Sequence, residues 1–207
     1  MATMIDIDDC LSAVLRYAPS ASDIVARRCL IEAARSICDR LKNWRITDEM
    51  EITTPEMQGV VTAADVAIVS IEAAELEGRK LDPITVIALD DRHPGWSYDT
   101  ELGQARYVVQ LEPNTVSVYP RQEGTLKCRL VLKPSLQAVE IPKFLREDYG
   151  EILGRGAAGI ILTEPNSENP QLGLDHRAWF ENQLNRQDTK AKAGQHNAPL
   201  RTKGSYL

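Results

Sequence analysis

Aromatic side chains are scarce in this chain, with three Trp, six Tyr and two Phe among 207 residues. That excludes a stacking platform for single-stranded nucleic acid, which needs aromatic faces beside basic groups. Positive charge is also in short supply: 24 Lys and Arg stand against 30 Asp and Glu, for a formal net charge of -6. A general DNA-binding surface needs clustered cations to neutralise phosphates, so that class falls as well. Cys10, Cys29, Cys38 and Cys128 form no C-x-x-C pair and have no nearby His in sequence, unlike the close ligand pairs of a zinc site. They read as small apolar residues, with Cys29 and Cys38 on a helix. No apolar run approaches the ~18 residues of a membrane span. The first ten residues hold three Asp and no apolar signal-peptide core, so synthesis and folding in a reducing cytoplasm are expected.

What is present is an ordinary globular composition, 43% apolar and 26% charged, too apolar for a disordered chain. The clearest element covers residues 22–44. Leu30, Ala34, Ile37, Leu41 and Trp44 recur at three- and four-residue steps, which predicts an amphipathic helix. Pro19 stops anything before it, and Ser20 with Asp23 resembles a capping box. Residues 10–18 are apolar but short, an extended arm or a brief helix. Strand-like pieces follow over residues 46–53, 66–74, 107–111, 115–119 and 125–132, with a short helix over 85–91. In the last strand Leu126, Cys128, Leu130 and Leu132 alternate with Lys127, Arg129, Val131 and Lys133. The strands predict a small antiparallel sheet or sandwich. Helical spacing returns at Pro142 and ends at Pro165, and a final helix covers 174–193 with Trp179, Phe180 and Leu184 inward. The expected fold is therefore α+β: a helical bundle of residues 1–45 and 135–193, an inserted β domain of 46–134, and a flexible tail of 194–207.

Chemistry is conspicuous by its absence. Gly154, Gly156 and Gly159 spell G-x-G-x-x-G, but a dinucleotide site needs that string between a strand and a helix. Here the preceding residues have helical spacing, so the glycines are expected inside a helix, packing against another helix or a neighbouring subunit. His93, His176 and His196 share no short motif with a nucleophile. The pairs Asp8-Asp9 and Asp90-Asp91 lack the further oxygen ligands of a cation loop and read as solvated carboxylates. The expectation is a protein that is not an enzyme and has no cofactor or metal. Charge is the one uneven feature. Residues 45–101 hold 13 acidic and four basic side chains, a local net of -9, while residues 186–207 carry a net of +4. Such asymmetry favours head-to-tail contacts, or a basic tail docking on an acidic partner.

The chain resembles the head-to-tail adaptor proteins of short-tailed bacteriophages, the class that includes the tail tubular protein A group. The resemblance rests on Leu30-Ile31-Glu32-Ala33-Ala34-Arg35 followed by Cys38 and Trp44, on the β region ending in Ser117-Val118-Tyr119-Pro120, and on Ile141-Pro142-Lys143-Phe144-Leu145 leading into a Gly- and Ala-rich helix. Trp179-Phe180 and a short basic tail complete it. The acidic stretch within the β region has no counterpart in it. The resemblance implies a structural virion protein with no active site, made in the host cytoplasm and built into the neck. It implies a ring, usually a dodecamer, joining the portal protein to the tail tube or nozzle, with DNA only passing through and no membrane contact. Arg201, Lys203, Tyr206 and Leu207 are then the expected portal-binding residues. A neck stopper or tail-completion protein is the alternative, with a cytoplasmic binding module or a cryptic enzyme behind it.

Overall fold

The computed structural model describes residues 3–53, 59–60, 65–99, 102–165, 167 and 169–193. The elements in chain order begin with β1 (Met4–Asp6), α1 (Leu11–Leu15), α2 (Asp23–Leu41), β2 (Arg45–Ile52), β3 (Gly59–Val60), β4 (Val66–Leu76) and β5 (Arg79–Pro83). They continue with α3 (Val86–Arg92), β6 (Tyr107–Val109), β7 (Thr115–Tyr119), β8 (Gly124–Pro134), β9 (Glu140–Pro142), α4 (Lys143–Leu162) and α5 (Pro170–Ala193). The fold is α+β, in two compact units: Lys42–Glu140 with Met1–Thr3, and Met4–Leu41 with Ile141–Leu207.

In the helical unit α4 is the central element and packs against α1, α2 and α5. Leu145, Ile152, Leu153, Ala157, Ala158 and Leu162 are buried along it. α2 buries Leu30, Ala34, Ile37 and Leu41 as its spacing predicts, and also Ala26, Cys29, Ala33 and Cys38. Small residues beside large ones let neighbouring helices approach that side closely. Three details of the helix ends depart from the sequence reading. Ser22, not Ser20, caps α2, its Oγ accepting from the Val25 N–H at 3.5 Å. Pro142 is the cap residue of α4 rather than its first helical residue, with extended backbone at ψ 131. α5 starts four residues early, at Pro170, because Asn169 Oδ1 accepts from the Leu172 N–H at 3.2 Å and proline suits a first helical position. Residues 10–18 hold the brief helix, α1, with Val14 fully buried.

In the other unit the strands follow the order β2-β8-β4-β5-β6-β7-β3. β8 is the spine, antiparallel to β2 on one side and to β4 on the other. Its Leu126, Cys128, Leu130 and Leu132 are fully buried, and so is Val131 on the opposite face, which the alternation had assigned to the charged side. Glu77 and Gly78, both at positive φ (49° and 76°), make the two-residue turn between β4 and β5. One pairing is not antiparallel as expected: β5 and β6 run parallel. Parallel neighbours need a long crossover, and residues 84–106 supply it, with α3 inside. Leu89 of α3 joins Trp96 and Val109 in a separate small core flanked by Ile84, Val86, Tyr107 and Tyr119.

Candidate functional site

The three glycines of the G-x-G-x-x-G string all lie in the interior of α4, far from its N-terminus. A Cβ on Gly154 would run into the backbone carbonyl of Ala13, one on Gly156 would stand 2.6 Å from the Phe180 ring, and one on Gly159 would stand 3.0 Å from the Arg177 side chain. Gly173 of α5 returns the contact, since its Cβ would lie 2.8 Å from the backbone of Leu162. The glycines thus let α1 and α5 close onto α4. Their faces are spent inside the unit.

Beside them sits a cluster that sequence reading missed. The Arg155 guanidinium lies 4.3 Å from the ring centre of Trp179 and 5.1 Å from that of Tyr17. Glu151 one turn earlier holds the same group at 2.9 Å. His176 meets Tyr17 edge-on, with ring centres 5.3 Å apart. Burial, and then the Arg155 cation, push His176 below its ordinary value. The members come from α4, from α5 and from the turn after α1, so no local spacing announces them. An arginine between two aromatic faces is a rigid fastener for three elements, since the π faces attract the cation without needing donors matched to acceptors.

The carboxylate pairs are exposed, as the sequence predicts, and Asp8, Asp9 and Asp90 also meet partners. Asp8 makes a two-point ion pair with Arg27, and Asp9 lies 3.9 Å from Arg146. Asp90 accepts from the Trp96 indole N–H at 2.7 Å. His93 packs between Tyr107 and Tyr119, ring centres at 5.7 and 5.2 Å, with no nucleophile in the cluster. All four cysteines are buried thiols outside any disulfide. Burial pushes the thiols of Cys10 and Cys29 up to about 11 and that of Cys128 to about 12, which keeps them protonated and unreactive. Among the described residues no group of three His, Cys, Asp or Glu side chains could hold a metal ion. No helix among them is long and apolar enough to cross a membrane.

Surface features remain. Large apolar side chains stand exposed on both units: Ile87, Tyr98 and Leu102 on the sheet unit, and Ile24, Leu172 and Leu174 on the helical unit. The sheet unit also carries a cleft of about 390 Å³ between β4 and the ends of β5 and β6. Arg201, Lys203, Tyr206 and Leu207, expected to bind a portal, lie outside the described residues, as does His196. No protein-family model matches the chain, and no curated protein does either.

Proposed function

We propose that the chain is a structural subunit of a bacteriophage neck, a head-to-tail adaptor whose ring joins the portal to the tail tube or nozzle and surrounds the path of the DNA. The observation that carries this reading is the order of the units. A helical unit runs through α1 and the long α2, is interrupted by a sheet unit from Lys42 to Glu140, and resumes with the Gly- and Ala-rich α4. That is the order of elements in the adaptors the sequence resembles. Exposed apolar side chains on two different units also support it, because a closed ring is built from heterologous contacts between unlike patches. The acidic excess of residues 45–101 suits a conduit, since a basic wall would hold passing DNA by releasing counterions.

In this reading Arg201, Lys203, Tyr206 and Leu207 engage the portal, and the ring is a dodecamer. Negative-stain imaging of the protein mixed with portal particles tests it. A ring stacked on the portal is the expected result. A protein that stays monomeric, both alone and with portal, overturns it. Binding to a completed neck but not to bare portal would make it a stopper instead.

A further inference from the structure

The sheet is split along β4. β5 pairs with β4 only at Ala74↔Leu81, Glu75↔Lys80 and Leu76↔Arg79. It then departs to run parallel with β6 at Asp82↔Tyr107 and Pro83↔Val108. β8 follows β4 all the way to Val66↔Pro134. Among the described residues, 69–73 of β4 therefore have a strand on one side only. Both register irregularities of β4 fall in this stretch, at Val69 and at Glu72, and such bulges bend a strand away from its neighbour. Pro83 adds to the break, having no N–H to continue the ladder.

The cleft occupies the vacated position, in line with β5. Ser70 and Ile71 form one wall, Ile84 and Val86 lie at the end of β5 and the start of α3, and Val108 and Gln110 form the other wall. At the far end Asn114, in a left-handed turn at φ 62, accepts from the Ile68 N–H through Oδ1 at 2.8 Å. A side chain there does what a neighbouring strand does elsewhere. Between Asn114 and β5 no strand among the described residues pairs with the edge of β4.

We propose that this cleft takes a short extended segment by strand addition, and that the occupant is residues 199–204 of a second copy of this chain. The identity of the donor rests on the ring reading given above. Strand addition draws affinity from main-chain hydrogen bonds and specificity from pockets for alternate side chains. The sequence Pro199-Leu200-Arg201-Thr202-Lys203-Gly204 has that pattern. Proline is tolerated at the first position of a strand, and Gly204 follows the last. Leu200 and Thr202 share one face of an extended segment, and Arg201 and Lys203 share the other. Four strand residues span about 13 Å at ~3.3 Å each, within the roughly 16 Å of the five open residues of β4. Charge agrees: the cleft's lining residues between 70 and 86 belong to the stretch of net charge -9, whereas the segment is basic. Asp82 and Glu112, both exposed, lie one and two residues from the lining residues Pro83 and Gln110, and supply the carboxylates this arrangement pairs with Arg201 and Lys203. In this arrangement Arg201 and Lys203 pass from the portal to the cleft of the neighbouring copy, and of the four residues assigned to the portal above only Tyr206 and Leu207, beyond the segment, remain to engage it.

The test uses a chain ending at Ala193, whose cleft cannot be filled by its own tail, and a fluorescent synthetic peptide of residues 194–207. Saturable binding by anisotropy is expected, weakened at least tenfold by Leu200→Asp in the peptide and weakened again by added salt. A photo-crosslinker at position 202 should mark residues 69–73, 84–86 or 108–110. No binding at about 1 mM peptide, or crosslinks confined to other residues, overturns the assignment. Peptide binding without any ring on the portal leaves the cleft assignment standing and removes the adaptor reading. A ring whose cleft residues remain open to hydrogen exchange does the reverse and gives the cleft to another partner.

Discussion

Gly156 faces Phe180 so closely that a Cβ on the glycine would stand 2.6 Å from one ring carbon and 2.7 Å from the next. No real Cβ tolerates that distance, so the ring or the helix has to move. Gly156→Ala therefore sets two effects against each other. Alanine favours helix by about 1 kcal/mol, but overpacking a close contact costs about 1–3 kcal/mol. The overpacking wins, and a lower melting temperature is expected. Gly150 is the internal control, because nothing lies within 4 Å of a Cβ placed there. Gly150→Ala should raise the melting temperature, by roughly 2–4 °C per kcal/mol gained in a chain of this size. Thermal unfolding of the two variants against the parent checks the signs, and a stabilising Gly156→Ala would refute the packing account.

Trp96 is 6% exposed and has its indole N–H bonded to Asp90 at 2.7 Å. Its ring also meets Tyr119 edge-on, with centres 6.0 Å apart. Removing the acceptor leaves a buried donor unsatisfied, which costs about 1–3 kcal/mol. Asp90→Ala should destabilise the small core around Leu89, Trp96 and Val109, whereas Asp91→Ala should do little. Urea titration with far-UV detection separates the two variants. Equal midpoints for both would show that the Asp90 bond contributes nothing.

These two contacts also mark how far the sequence could be read. The helical placement of the glycines was legible because Leu145, Ile152 and Leu153 precede or flank them at helical spacing, a local signal. Phe180 as the partner of Gly156 was not, because the two are joined only by the way α4 and α5 pack. The long strand β8 was legible from its alternation, yet Val131 broke the pattern because both faces are covered at that point. Short strands carry less. β6 has three residues, too few for periodicity to specify a partner or its direction, and the parallel pairing with β5 went unseen. The Tyr17, Arg155 and Trp179 cluster had no signal at all, since cation–π geometry depends on side chains far apart in sequence. The carboxylates were legible as exposed, but their partners were not, because Arg27 lies 19 residues from Asp8.

The cysteines supply a prediction about reactivity. Cys10 is 1% exposed and Cys29, Cys38 and Cys128 are 0% exposed. With burial holding the thiols of Cys10, Cys29 and Cys128 at about 11 to 12, almost no thiolate exists near neutral pH. A thiol-specific chromogenic reagent should therefore leave these thiols unmodified in the native protein. All four should react at once when urea unfolds the chain. Rapid labelling of one thiol under native conditions would mean that its unit opens locally, and mass spectrometry of the labelled peptide would identify which.

His176 makes the stability of the helical unit depend on pH, and the sign follows from the direction of its shift. Its folded value lies below the ordinary 6.5 of a histidine, because burial and the Arg155 cation both disfavour the charged imidazole. The neighbouring Asp175 acts the other way but is the smallest of the three causes. The unfolded chain then binds a proton more readily than the folded one in the window just below 6.5. Stability is fully present above that value and declines as pH falls through it toward the lower folded value. His176→Phe keeps a ring against Tyr17 and removes the titration. Melting temperatures measured at several pH values between about 5 and 8 should fall less steeply toward acid for this variant than for the parent. Parallel curves would show that other groups, and not His176, govern the acid limb.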